Sequence, residues 1–235
     1  MANFISREEA QRIAERALSF SSADQARVNL SSSDTGNTRF AQNQMSTSGD
    51  ATNATLSISS ALGTKVASAT TNIFTDDALR RVVETSEALA RLVPENEEYM
   101  GELSQQTYPD SAPYFESTGE LAPERRAQAI AAVTEQAASR NLISTGFLIH
   151  QAASTAVATS NGLFAYGTNT RVNFTTTVRT PDGTGSGWAG TSAHDFDDLD
   201  TRALGAVAVE KAMRSRQPRA VEPGRWTGVM EPTTG

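Results

Sequence analysis

The chain has 235 residues, of which 38% are hydrophobic and 20% charged, values that fit one large globular domain or two modest ones. Its formal net charge of -7 argues against nucleic-acid and membrane-surface partners, since both require clustered positive charge. The sequence has no cysteine, which excludes disulfides and thiolate metal sites. It also lacks an amino-terminal signal core and an apolar run long enough to span a membrane, so we expect a cytoplasmic protein.

A capping box predicts the first helix. Ser6 can accept a hydrogen bond from the Glu9 amide, and apolar residues then recur on one face, which indicates a helix over residues 6–19. A β-region rich in Thr, Ser and Val follows. Its predicted strands cover residues 26–30, 38–47, 52–59 and 63–71. The alternation of polar and apolar residues indicates antiparallel strands with one solvated face.

Two helices and a long polar segment occupy the middle of the chain. Thr75-Asp76-Asp77 predicts a helix start, with acids where the helix dipole favours them. Residues 94–121 are polar and read as one extended loop, a length that usually marks a functional or mobile segment. Pro123 is expected at the start of a third helix that ends near Asn141.

A second β-region and a last helix complete the pattern. The predicted strands cover residues 142–149, 152–160 and 171–180, and the helix follows Asp200 as its cap. Strands that cluster instead of alternating with helices indicate an α+β fold. We therefore expect an antiparallel or mixed sheet packed with about four helices, in which the two β-regions can be neighbours.

The end of the chain carries one more strand signal. Pro223-Gly224 predicts a turn, and the residues from Trp226 to Met230 read as the beginning of a strand. We expect residues 1–220 to form one domain, with 94–121 as its long loop. Residues 221–235 are then a linker and the first strand of a carboxy-terminal domain that this chain lacks.

The residues themselves predict no catalytic and no metal-binding set. His150 has no second ligand at metal spacing, and His194 lies beside Ser192 and Asp195 on one loop, where the three cannot face one another as a triad. The acidic run 195–200 lacks the glycine and closing glutamate of a calcium loop. The glycines of 183–187 lack the lysine of a phosphate loop. Structural roles are expected for all of these features.

Arg39 and Asn43 are the candidate substrate-binding residues. Both lie on a predicted strand that is poor in apolar side chains, and both types can hold a peptide backbone or a carboxylate. The alternative is that they form the solvent face of an amphipathic strand. If the edge of the strand near Arg39–Asn43 is exposed, a peptide could add to it through backbone hydrogen bonds.

The order of several loose motifs resembles one known family. The chain is similar to the amino-terminal domain of the TldD/PmbA proteins, also called TldD/TldE and once labelled modulators of DNA gyrase. The resemblance covers essentially the whole chain and rests on the strand 37–43, the helix entry 75–77, Ala90-Arg91-Leu92-Val93-Pro94, the Ser160-Asn161-Gly162 turn, Trp188-Ala189-Gly190 and the stretch 223–232. The Met230-Glu231-Pro232 entry resembles the PmbA/TldE side somewhat more.

The resemblance implies a cytoplasmic zinc-dependent peptidase system. In such a system a TldD-like subunit holds zinc on a His-Glu-x-x-x-His helix, and a PmbA/TldE-like subunit without that motif completes the assembly. The zinc region of the family lies beyond residue 235, so no catalytic or metal-binding residue carries over to this chain. The implied partners are a peptide or unfolded polypeptide substrate and either a paralogous subunit or a second copy.

Two other functions remain open. The chain can be part of a non-catalytic interaction subunit that shapes a partner's chamber. Alternatively, an unrelated enzyme could use carboxylates of the long loop, such as Glu97, Glu98 and Glu102, if they converge in a pocket.

Overall fold

A computed structural model describes residues 3–108 and 114–230. Within these ranges, one six-stranded antiparallel sheet packs against helices, which confirms the α+β prediction. The helices and strands are α1 (Arg7–Leu18), β1 (Gln25–Ala41), β2 (Gln44–Leu62), β3 (Lys65–Thr71), α2 (Asp76–Leu92), α3 (Glu116–Gly119), α4 (Pro123–Ser139), β4 (Ile143–Thr159), β5 (Phe164–Arg179), β6 (Ser186–Ala193) and α5 (Thr201–Arg214), with a short 3-10 helix at Phe196–Asp198.

The two predicted β-regions form one sheet. Its strand order is β3-β2-β1-β4-β5-β6, so β1 of the first region pairs with β4 of the second. The first hairpin turns through Gln42 and Asn43, whose φ angles of 51° and 62° lie in the left-handed region used by tight two-residue turns. Asparagine tolerates that conformation because its side chain can hydrogen-bond locally.

The helices cover only one face of the sheet. Alternate residues of β1, such as Val28, Leu30 and Phe40, are buried against α1, α2 and α4. At the other end, α5 packs on β5 and β6 around Val178 and Ala189. The fold therefore has two layers, one sheet and one layer of helices, and the described residues place no helix on the other face of the sheet. None of the described helices is long and apolar enough to cross a membrane.

Local signals placed the helix ends well. Ser6 accepts the Glu9 amide at 3.2 Å, and Asp200 accepts the Ala203 amide at 2.9 Å. Thr75 occupies the cap position of α2, although its side chain makes no capping hydrogen bond. Residues 180–185 connect β5 to β6, as the turn prediction required, and the last two residues of the glycine-rich segment 183–187 begin β6.

Two strand predictions need correction. The interruption predicted after Ile149 is absent, because β4 runs unbroken through His150 and Gln151. The helix side of the sheet provides buried hydrogen-bond partners for His150, so this polar residue does not end the strand. The strand predicted over residues 38–47 is divided by the turn at Gln42 and Asn43, where β1 ends and β2 begins. Residues 226–230 pair with none of the six strands, and their assignment to a strand of a further domain stays a prediction. The rest of that stretch, including Glu231 and Pro232, lies outside the described residues.

Candidate functional site

The face of the sheet opposite the helices is its open face. It is formed by every second residue of each strand, the residues that alternate with the buried ones. Threonine, serine and asparagine dominate it, with Phe147 and Trp188 as its aromatic residues. A broad polar surface that none of the described helices covers is available to a ligand or to another protein surface.

The charges on the open face all have one sign. Among the described strands it carries Arg27, Arg39, Arg171 and Arg179 and no aspartate or glutamate. Glu102 of the long loop lies 3.6 Å from Arg27, which neutralises that residue. The other three arginines are exposed and make no ion pair within the described residues. This face is therefore positive, although the whole chain has a net charge of -7.

A shallow depression of about 300 Å³ lies on the open face around Arg171. Thr35, Gln151 and Arg171 occupy one row across β1, β4 and β5, since Thr35 pairs with Gln151 and Gln151 pairs with Arg171. Ile149 and Asn173 form the neighbouring row. The depression thus combines one guanidinium, two side-chain amides and a hydroxyl with an aliphatic wall.

A free strand edge lies at the side of the open face. β3 pairs only with Leu56–Leu62, so the outer side of β2 from Gln44 to Thr55 has no partner among the described strands. Residues 44–53 are exposed. The segment has no proline and no basic residue, and its acidic Asp50 turns inward to Arg126. Proline and lysine, two of the devices that prevent another strand from adding to an edge, are absent here, and the devices present are the inward-turned Asp50 and the register shift opposite Met45 and Thr47.

The structure separates the two predicted substrate-binding residues. Arg39 is on the open face, with its guanidinium 4.6 Å from the centre of the Phe147 ring. The Asn43 side chain instead accepts from the Ser144 amide at 2.7 Å and donates to the Leu142 carbonyl at 2.8 Å. Asn43 therefore ties the first hairpin to the beginning of β4, while Arg39 remains accessible.

The edge predicted near these residues is not free. β1 lies between β2 and β4, and Arg39 has a strand partner on each side, Thr47 and Phe147. A peptide cannot add to β1 there. The sequence suggested an edge because the partner β4 begins about 100 residues later, and nothing local in β1 indicates that pairing.

A polar cluster of buried Arg126 and His150 with exposed Asp50 joins α4 to the sheet on the helix side. Arg126 is 1% exposed and donates through Nη1 to Asp50 at 2.7 Å and to His150 Nε2 at 2.9 Å. His150 Nδ1 lies 2.9 Å from the Thr118 carbonyl oxygen, which can only accept, so Nδ1 carries the proton and Nε2 accepts. Burial, and then the Arg126 charge, lower the pKa of His150. Gly36 leaves room for this cluster.

The remaining sequence candidates have structural partners. His194 Nδ1 lies 2.7 Å from the Thr170 carbonyl. Asp195 accepts from the Ser117 hydroxyl and caps the 3-10 helix, and the Ser117 hydrogen bond is the main reason that its pKa is lowered. Ser192 donates nothing to His194, and its hydroxyl instead accepts from Asn173 at 2.8 Å. The acidic run therefore contains two helix caps, as predicted.

The carboxylates of the long loop do not converge. Glu97 and Glu98 are exposed, whereas the Glu102 side chain is 6% exposed beside Arg27 and Tyr99. Across residues 3–108 and 114–230, no group of three His, Asp or Glu side chains could hold a metal ion. Zinc therefore does not fit the described part of this chain.

Comparisons with known proteins agree with this architecture. Residues 26–90 match domain 1 of the PmbA/TldA metallopeptidases, and residues 116–216 match their central domain. Together the two matches cover most of the chain. The chain is therefore a protein that contains these two domains in sequence. The chain belongs to the PmbA/TldD family. No curated protein sequence matches it.

Solved structures show the same fold at low identity. TldE from Thermococcus kodakarensis is 14% identical with a TM-score of 0.76, and the match covers 87% of this chain and 47% of TldE. A candidate modulator of a DNA gyrase from Thermotoga maritima is 14% identical with a TM-score of 0.80, over 92% of this chain and 50% of that protein. A candidate modulator of DNA gyrase from Bacteroides thetaiotaomicron is 19% identical with a TM-score of 0.77, over 93% and 52%. The chain spans about half the length of these proteins.

Proposed function

We propose that this chain is the amino-terminal part of a cytoplasmic zinc-dependent peptidase system of the PmbA/TldD type, in which it encloses substrate and contacts another subunit. Peptide hydrolysis belongs to residues outside this chain, since no metal-binding group occurs among its described residues. The zinc belongs to a carboxy-terminal part or to a paralogous subunit. The observation that carries the proposal is the unpaired outer edge of β2 beside the open face.

The β2 edge suits an extended peptide of many sequences. An unpaired strand offers its backbone N–H and C=O groups to any chain that adopts the same extended form. From Thr47 to Ala54 its side chains are small, which limits steric selection. Backbone recognition with little sequence demand is the property that a peptidase for varied peptides or unfolded polypeptides needs.

Arg39 and Asn43 have different roles in this proposal. The exposed Arg39 guanidinium contacts substrate that lies over the open face, whereas Asn43 acts indirectly by holding the hairpin in place. We expect Arg39→Ala to reduce peptide turnover in the full assembly without changing the melting temperature. Unchanged turnover would show that Arg39 does not contact the substrate.

The proposed peptide contact can be tested on the full chain with one pair of probes. A short neutral peptide and its analogue N-methylated at alternate residues have the same side chains but differ in their backbone donors. We expect the first to shift the backbone amide NMR signals of residues 47–54 and the second to leave them unchanged. Equal shifts with both peptides, or shifts confined to other strands, would exclude strand addition at β2.

A non-catalytic interaction subunit is the second candidate, because the lack of a metal-binding group among the described residues fits it as well as it fits the first proposal. The two candidates differ in the full-length protein tested alone. Bound zinc and peptide hydrolysis identify the catalytic subunit. A zinc-free protein that only stimulates a metal-bearing paralogue identifies the partner subunit.

A further inference from the structure

We propose that the depression around Arg171 on the open face is a binding site for a peptide carboxylate. The proposal deepens the proposed function and rests on it, because it concerns the same peptide substrate. The chemical class of ligand is a carboxylate attached to an extended chain, supplied either by the carboxyl terminus or by an acidic side chain.

Charge is the first reason. Arg171 is exposed and has no ion pair among the described residues, and the described strands contribute no acidic side chain to this face. A guanidinium presents its N–H donors in a planar fork that matches the two oxygens of a carboxylate. The site therefore attracts the group that the fork fits best.

The neighbouring side chains are the second reason. Thr35 and Gln151 lie in the same cross-strand row as Arg171, so their hydroxyl and amide face the same space. Both are donors that can share a carboxylate oxygen with the guanidinium. Ile149, one row away, adds an apolar wall for the aliphatic carbons next to the carboxylate. The volume of about 300 Å³ accommodates a residue-sized group but not a folded element.

The position relative to β2 is the third reason. Thr35 of β1 pairs with Ala51, which lies in the middle of the free β2 segment. The row from the β2 edge to the depression thus runs Ala51, Thr35, Gln151, Arg171 across four adjacent strands. Three inter-strand steps of about 4.8 Å separate Ala51 from Arg171, roughly 14 Å, a span that a few extended residues cover.

The test compares three N-acetylated pentapeptides of Ala, Val and Leu with the full chain. The first ends in a free carboxylate, the second is its amide, and the third is the amide with one central glutamate. Dissociation constants come from NMR titration at low salt. We expect the free acid to bind roughly 5-fold more tightly than the neutral amide, the effect of one well-oriented surface charge pair. Tight binding of the glutamate peptide would assign the site to acidic side chains as well.

Arg171→Gln is the decisive variant, and Arg179→Gln is its matched control. Both arginines are exposed on the open face of β5, eight positions apart in the sequence. We expect Arg171→Gln to abolish the preference for a carboxylate and Arg179→Gln to preserve it. Equal affinity for all three peptides, or an equal loss in both variants, would overturn the proposal. Binding of the neutral peptide at β2, tested by N-methylation, reports separately on the proposed function.

Discussion

Gly36→Ala is the sharpest test of how the helix layer is joined to the sheet. Gly36 lies on the helix side of β1, opposite Asp50 and His150. A Cβ added there would lie 2.0 Å from Arg126 Nη1, 2.2 Å from His150 Nε2 and 2.6 Å from Asp50 Oδ1. Arg126 and His150 are buried and hydrogen-bonded to each other, and the exposed Asp50 is paired with Arg126, so an alanine cannot be accommodated by a movement of one free side chain.

The size of the effect follows from two opposed contributions. Overpacking a filled site costs about 1–3 kcal/mol. Against this, replacing glycine by alanine where the backbone permits it stabilises by about 0.4–1 kcal/mol through the unfolded state. Gly49→Ala is the matched control, because Gly49 lies in the adjacent strand and an added Cβ meets nothing within 4 Å. The contribution through the unfolded state is common to both variants and cancels, so their free energies of unfolding should differ by the overpacking cost alone, about 1–3 kcal/mol.

Urea denaturation of both variants, monitored by circular dichroism, measures this difference, and thermal melting provides a second estimate. For a chain of this size, about 2–4 °C of melting temperature corresponds to each kcal/mol. Gly36→Ala should be the less stable variant by both methods. Equal stability of the two variants would mean that the Arg126 side chain does not occupy the space above Gly36, and the account of the cluster would be wrong.

Variants at Glu87 and Asn43 test two other hydrogen-bond anchors, each with a matched control. Burial opposes ionisation of Glu87, but the hydrogen bonds from Ser22 and its neighbours prevail and lower its pKa below 4.5. The ionised carboxylate therefore stabilises the fold above pH 4.5. This contribution is lost as the pH falls through the lowered pKa. Glu87→Gln should cost about 1–3 kcal/mol at pH 7 and less at pH 3 than at pH 7, while the exposed Glu84→Gln should cost nothing at either pH; a pH-independent loss would contradict this reasoning. Asn43→Ala should cost about 2–4 kcal/mol, because it loses hydrogen bonds to β4 and strains a φ of 62°. Asn43→Gly should recover about 1 kcal/mol of that loss in the same denaturation assay, since only the strain is relieved, and no recovery would refute the strain contribution.

Helices and strands could be predicted from the sequence because caps and polar–apolar alternation involve residues only a few positions apart. The two helix caps are contacts between residues three positions apart, Ser6 with Glu9 and Asp200 with Ala203. The alternation of polar and apolar residues along a strand likewise indicates which residues share a face. The pairing of β1 with β4 connects residues more than 100 positions apart, so no window of sequence shows it. That pairing decides which edge is free. The sequence therefore could not show that β1 has a partner on each side near Arg39, nor that the predicted strand 38–47 is divided by the turn between β1 and β2.

The same limit applies to charge. A net charge of -7 describes the molecule at long distance, but salt at physiological strength screens exposed charges beyond about 8 Å. A ligand on the open face therefore responds to the arginines near it more than to acids on the helix layer. The sheet geometry places Arg39 about 16 Å from Arg171, and Arg179 about 26 Å from it, each beyond that screening distance. Separate guanidiniums at such spacing suit single carboxylates better than a continuous polyanion, whose binding depends on closely spaced cations. The spacing, which only the strand register reveals, is thus what favours a peptide carboxylate as the ligand of this face.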